Sequence, residues 1–339
     1  EGIRIMVFYP DGGVSPVQRL QMVTQEGANV SVMAVRGNFD DAQRGVKEIF
    51  GDAAAAKELA ALHTKLSSAN SINWGRLVPQ IIYYFSAYAD LLAEGKIRAG
   101  DAVNFTVPTG NFGNILAGYY AKRMGLPVGK LVCASNANNV LTDFLQTGIY
   151  DRRRDFYQTM SPSMDILVSS NLERLLYHLT EDTAQVAAWM RALAEEGLYD
   201  ASALLPSLCE NFWAAFTGDM MTEAEIRTVY EQTHYTLDTH TAVAYRAAEA
   251  YRSETGDERP MIVLSTASPY KFGASVLHAL GEDTDGADEF ALMERLHALS
   301  SMDIPARLAA LRTMPVLHNG ACERGRMRAA VMDFAREFS

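Results

Sequence analysis

Cysteine is scarce in this chain of 339 residues: there are three, Cys133, Cys209 and Cys322. Their odd number and wide spacing argue against a disulfide framework or a zinc site, and they suit a reducing compartment such as the cytoplasm. Basic charge is also in short supply. Thirty Lys and Arg stand against 41 Asp and Glu, a formal net charge of -11, and the longest basic cluster is Arg152-Arg153-Arg154. Nucleic acid and anionic membranes are therefore poor partners. No apolar run approaches the roughly 18 to 20 residues that cross a bilayer. The opening EGIRIMVFYPDGG has neither a basic leading region nor a cleavage pattern, so it does not read as a signal peptide. Internal repeats and low-complexity segments are missing as well.

What is present centres on Val103 to Tyr119, VNFTVPTGNFGNILAGY. Val103, Phe105 and Val107 read as a short buried strand, Pro108-Thr109-Gly110 breaks it, and an apolar helix starts after Asn111. Strand, glycine-rich turn and helix in that order can form a phosphate cradle. Gly110 and Gly113 carry no side chain to block close approach, and the helix dipole favours an anion at its N-terminus. Asn111 and Asn114 add short amides that can cap the helix or donate to a ligand oxygen. A plain tight turn has the same signature, so the stretch alone does not decide. The spacing of Gly110 and Gly113 does not supply the GxGxxG of dinucleotide sites, and no Walker lysine follows Gly113.

Along the chain, strands are expected at Ile3 to Phe8, Val30 to Val35, Lys130 to Ala134 and, last, Met261 to Leu264. Helices between them imply an α/β fold with parallel pairing and helical crossovers. Lys65 to Trp74, KLSSANSINW, reads as a polar loop. Leu77, Ile81, Tyr84, Phe85 and Tyr88 recur at helical spacing and are expected in the core, with Pro79 opening or kinking that helix. Asn171 to about Asp257 reads as mostly helical, with His240 near the first turn of a helix capped by Asp238 or Thr239, as a surface or capping residue. Three polar turns follow strands: Thr109 to Asn114, Ser135 to Asn139 and Ser265 to Ser268. In a parallel sheet they share one edge, which suits a phosphorylated heterocycle.

VPTGNFGNILAGYYAKRMGLPV followed by LVCASNANNVLTDFLQTGIY resembles threonine synthase, a pyridoxal-phosphate enzyme of the tryptophan-synthase-β type of fold. YPDGGVSPVQRLQM, GNFDDAQRGVKEIF, SANSINWGRLVPQIIYYF, LDTHTAVAY and STASPYKF extend the likeness from Tyr9 to Phe272. The resemblance implies parallel-rich sheets flanked by helices, with residues 1–62 finishing a small lobe and 63–339 forming a large cofactor-binding lobe. It implies conversion of O-phospho-L-homoserine and water to L-threonine and phosphate, a step of threonine biosynthesis in the cytoplasm. Gly110, Asn111, Phe112, Gly113 and Asn114 match the loop that holds the cofactor phosphate, and Thr266 matches the hydroxyl facing the pyridine nitrogen. Ser15, Asn70, Ser71, Asn73 and Arg76 lie in stretches that meet the substrate phosphate, and no metal is implied.

The family's Schiff-base lysine and Ser-Gly-Asp-Thr-Gly loop are not found. The seven lysines, Lys47, Lys57, Lys65, Lys96, Lys122, Lys130 and Lys271, sit outside that context, and Lys271 reads as structural. The chain is thus expected to be a C-terminal portion of a longer enzyme and inactive alone. A threonine dehydratase-like lyase and a non-catalytic phosphate-binding relative are the alternatives.

Overall fold

The computed structural model describes residues 2–337, leaving aside the side chains of residues 39, 40 and 43. The chain opens with β1 (Ile5–Pro10), α1 (Pro16–Val23), β2 (Val30–Arg36), α2 (Phe39–Gly51) and α3 (Ala53–Ala61). There follow α4 (Trp74–Ala93), β3 (Val103–Pro108), α5 (Gly113–Arg123), β4 (Val128–Ser135), α6 (Val140–Thr147) and β5 (Ile149–Asp151). Next come α7 (Leu172–Thr180), α8 (Thr183–Glu195), β6 (Leu198–Asp200), α9 (Leu205–Asn211), β7 (Phe212–Phe216), α10 (Asp219–Thr233) and α11 (Thr239–Thr255). The chain continues with β8 (Met261–Val263), α12 (Gly273–Ala279), α13 (Glu289–Ser300), α14 (Ala306–Ala310), β9 (Gly320–Glu323) and α15 (Met327–Arg336). No described helix is long and apolar enough to cross a membrane.

These elements divide into two compact units, Glu1–Ser67 with Gly286–Ser339, and Ser68–Asp285. The C-terminal segment, expected within the large lobe, therefore belongs with the small one. The cause is β9, which pairs in parallel with β2 in a sheet of order β1-β2-β9. Met261 to Leu264 is consequently not the last strand. Gly-Ala-Cys-Glu has no β-branched or aromatic residue, so nothing in its composition announces a strand. In the same unit, Val35, Ala42, Ile49 and Met327 form one buried cluster, and Ala55, Leu59, Met332 and Ala335 another.

The larger unit is built on a parallel sheet of order β7-β4-β3-β8. All six residues of β3 are buried, as befits a central strand covered on both faces. β6 and β7 lie inside the stretch expected to be mostly helical; β7, FWAAF, adds an edge strand to β4. Leu77, Tyr84 and Tyr88 of α4 are buried as their spacing implies, whereas Phe85 is 36% exposed. Pro79 lies inside α4. Gly118 lets α5 approach α4 closely: a Cβ there would stand 2.6 Å from Cε1 of Tyr84.

The sheet's N-terminal end is pinned by a polar cluster. Asp257 accepts from Arg259 Nη2 at 2.6 Å, from Asn104 Nδ2 at 2.9 Å and from the Tyr251 hydroxyl. Arg259 foremost, then Tyr251 and Asn104, hold the Asp257 carboxyl well below the usual carboxylate range, against burial that pushes it up. A native pKa below the unfolded one contributes stability above about pH 4, and that contribution drains away as pH falls through the native value. Asp257→Ala is expected to cost roughly 1–3 kcal/mol at pH 7. Urea unfolding of both proteins across a pH series checks this: the gap narrows below about pH 4.

Candidate functional site

The three polar turns leave the same edge of the large sheet. β3 aligns in parallel with β4 and β8, and Thr109 N–H donates to the Ala134 carbonyl while Leu264 N–H donates to the Thr106 carbonyl. The turn after β3 forms the densest of these sites. Phe112, rather than Asn111 or Asn114, is the N-cap of α5, and its φ is 61°, the left-handed region that a phenylalanine rarely adopts. No side chain caps this helix. Among the described residues, no protein acceptor meets the N–H groups of residues 110 to 115.

The carbonyls of the same loop are, by contrast, occupied. Ser169 Oγ donates to the Gly110 carbonyl at 2.9 Å and Asn171 Nδ2 to the Asn111 carbonyl at 2.7 Å. Donors are thereby left open while acceptors are closed off, which is the polarity an anion requires. Close walls explain both glycines. A Cβ on Gly110 would stand 2.7 Å from the Ser163 carbonyl oxygen, and one on Gly113 would stand 2.9 Å from Cβ of Ser71. The Asn114 side-chain and main-chain oxygens accept from the Tyr84 hydroxyl at 3.0 and 2.8 Å, and Asn111 Oδ1 accepts from Ser170 Oγ at 3.1 Å.

The turn after β4 behaves differently. Asn136 Nδ2 donates to Asp165 Oδ1 at 2.7 Å, Asn138 Nδ2 donates to the same oxygen at 3.0 Å, and Arg154 Nη1 donates to Asn139 Oδ1 at 3.0 Å. These amides hold the 154–165 segment in place. Cys133 lies in β4 close by, and burial pushes its thiol up to about 12, which leaves it no thiolate to act as a nucleophile. In the turn after β8, Thr266 is exposed.

A domain described as "Threonine synthase, C-terminal" matches residues 241–315. Threonine synthase-like 1 of Homo sapiens is 39% identical over 326 residues, 95% of this chain, and threonine synthase of Saccharomyces cerevisiae is 38% identical over 317, 88% of it. The chain spans 42% and 60% of the length of those relatives. Among solved structures, a PLP-bound threonine synthase from Brucella melitensis superposes with a TM-score of 0.83 at 36% identity, covering 98% of this chain and 66% of that one. The chain belongs to the threonine synthase family. Its fold is accordingly that of the fold type II pyridoxal-phosphate enzymes, as the parallel sheets with flanking helices imply.

Within this threonine synthase relative, the residues expected at the substrate phosphate occupy helix starts and the loop before α4. Ser15 caps α1 in a reciprocal box with Gln18 and belongs to the smaller unit, the other four to the larger. Asn70 Oδ1 accepts from the Ile72 N–H at 3.0 Å, and Asn73 caps α4 through the Gly75 N–H at 2.9 Å. Arg76 is exposed in the first turn of α4. Ser71 is the member brought directly to the turn before α5: its Oγ accepts from Asn171 Nδ2 at 2.9 Å, and its carbonyl accepts from Arg174 Nη1 at 3.1 Å.

No motif in the sequence singles out Ser169, Ser170, Asn171 or Arg174, and the pattern from Asn171 onward reads as ordinary helix. The run SSN directly before an apolar helix was the available signal. His240 also differs from its surface reading, being 3% exposed. Lys122 donates to the Gly129 carbonyl and Lys130 to the carbonyls of Cys209 and Glu210, toward the sheet's other end. Exposed Lys271 lies over the Phe272 ring, 5.3 Å from its centroid. Gly113→Ala is expected to part Ser71 from Asn171 and cost roughly 1–3 kcal/mol of stability, read as a lower midpoint in thermal unfolding.

Proposed function

We propose that this chain binds pyridoxal 5'-phosphate and serves the conversion of O-phospho-L-homoserine and water to L-threonine and phosphate. The observation that carries the reading is the uncapped start of α5, whose N–H groups from 110 to 115 meet no protein acceptor among the described residues. Gly110, Asn111, Phe112, Gly113 and Asn114 hold the cofactor phosphate on those groups, and Gly110 and Gly113 keep side chains out of the closely walled turn. The Thr266 hydroxyl would be the partner of the pyridine nitrogen. When bound, pyridoxal phosphate supplies an electron sink for negative charge developing next to the substrate's amino-bearing carbon. A neutral hydroxyl partner leaves that nitrogen largely unprotonated and so moderates the sink.

Arg76, Asn70, Ser71, Asn73 and Ser15 are the residues assigned to the phosphate of the substrate. Arg76 supplies a permanent charge there, at the N-terminal turn of α4 where the helix dipole reinforces it. None of the seven lysines is assigned a covalent or proton-transfer role. A second reading is a relative that retains the phosphate-binding scaffold without catalysis. Borohydride reduction of the natural polypeptide with pyridoxal phosphate separates the two: the synthase reading expects one lysine adduct and phosphate release from O-phospho-L-homoserine, the second expects neither.

The binding claim is tested on the chain itself. Asn111→Glu places a competing carboxylate beside the open N–H groups and is expected to weaken pyridoxal phosphate binding about tenfold, measured by equilibrium titration of the cofactor's absorption. Unchanged affinity would remove the loop from the site.

A further inference from the structure

The first turn of α11 carries polar side chains that the cradle does not use directly. Asp238, His240 and Thr241 are 1%, 3% and 3% exposed, yet each is hydrogen-bonded, and their bonds reach in two directions. Resting on the cofactor reading above, we infer that Asp238-Thr239-His240-Thr241 is a bracket that positions both cofactor-facing turns. His240 governs the phosphate turn, and Thr241 governs the turn that faces the ring.

The first arm runs through the imidazole. His240 Nε2 accepts from the Ser163 N–H at 3.1 Å, so the ring hydrogen resides on Nδ1, 3.3 Å from Thr239 Oγ1 and 3.4 Å from Asp238 Oδ1. Phe272 packs on the imidazole with ring centroids 4.8 Å apart. Ser163 is the residue whose carbonyl oxygen would stand 2.7 Å from a Cβ on Gly110, with Met164 Cα at 3.1 Å. The imidazole therefore fixes how far this wall advances on the phosphate turn.

The second arm runs through hydroxyls. Asp238 accepts from the His240 N–H at 2.9 Å, from the Thr241 N–H at 3.3 Å and from the Thr241 hydroxyl. That hydroxyl lies between the carboxylate and the turn after β8. The same Thr241 hydroxyl also points at Ser265 Oγ, donating to it at 3.3 Å. Thr241 Oγ1 thus joins Asp238 to Ser265, and Ser265 carries Thr266 as its neighbour. Both arms start from one helix turn, so the phosphate turn and the ring-facing turn hold a common reference.

The test uses His240→Leu, His240→Gln, Thr241→Val and Thr241→Ser in the same chain. Each is titrated with inorganic phosphate by phosphorus NMR and with pyridoxal 5'-phosphate by absorption, with circular dichroism to verify folding. His240→Leu is expected to weaken both ligands about tenfold, the scale of one lost hydrogen bond, without moving the absorption maximum of bound pyridoxal phosphate. His240→Gln, which returns an acceptor to Ser163, restores affinity. Thr241→Val keeps phosphate affinity within about twofold while shifting that maximum, and Thr241→Ser returns it. Equal losses in both folded valine and leucine variants, or no recovery in the glutamine and serine ones, would overturn the bracket alone. Failure of the unmodified chain to bind either ligand saturably would overturn the cofactor reading and the bracket with it.

Discussion

A helix start whose N–H groups stay open while its loop's carbonyls are occupied is the constraint around which the larger unit is arranged. α1 to α4 each start with a side-chain oxygen on an early N–H, supplied by Ser15, Asn38, Asp52 and Asn73. α5 starts with Phe112 and nothing of the kind. Exposed donors at a partly buried helix end are costly unless water or a ligand meets them. The neighbouring structure reinforces this polarity by occupying the loop's carbonyls with Ser169 and Asn171. A site of this form selects charge sign before it selects shape.

The supporting contacts come from distant parts of the chain. Asn171 joins the Asn111 carbonyl to Ser71 Oγ, and Arg174 reaches back to Asn171 Oδ1 and to the carbonyls of Ser71 and Ile72. The loop before α4 is thus tied to the turn before α5 through the beginning of α7. Each tie uses both the donor and acceptor sides of a short amide or the donor fork of a planar guanidinium, groups whose geometry tolerates little displacement. Asn136, Asn138 and Asp165 do the same for the segment that walls Gly110.

Much of this was legible in the sequence because it is local. Val103 to Asn114 announces strand, turn and helix by alternation and by Pro and Gly, and β3 and α5 follow closely. The common edge of the three turns follows from parallel pairing alone. What escaped was decided by partners far along the chain. β9 is a strand because β2 lies beside it, and β7 because β4 does. The helix-capping role expected of Asn111 and Asn114 went to no side chain, since Ser170 and Tyr84 claim their oxygens. His240 could not be distinguished from a surface cap without Ser163, which lies 77 positions away.

Phe112 has a consequence beyond geometry. Its left-handed backbone costs on the order of 1–3 kcal/mol, and the compensation is a ring that is 1% exposed and packed 5.8 Å from the Phe212 ring centroid. The open N–H array is therefore maintained by aromatic packing between α5 and β7, remote in sequence. Loosening that packing lets residue 112 relax toward ordinary backbone angles and scatters the donors while the helices persist. If the array holds an anion as proposed, affinity for it then gauges core order, fading on warming ahead of the loss of secondary structure.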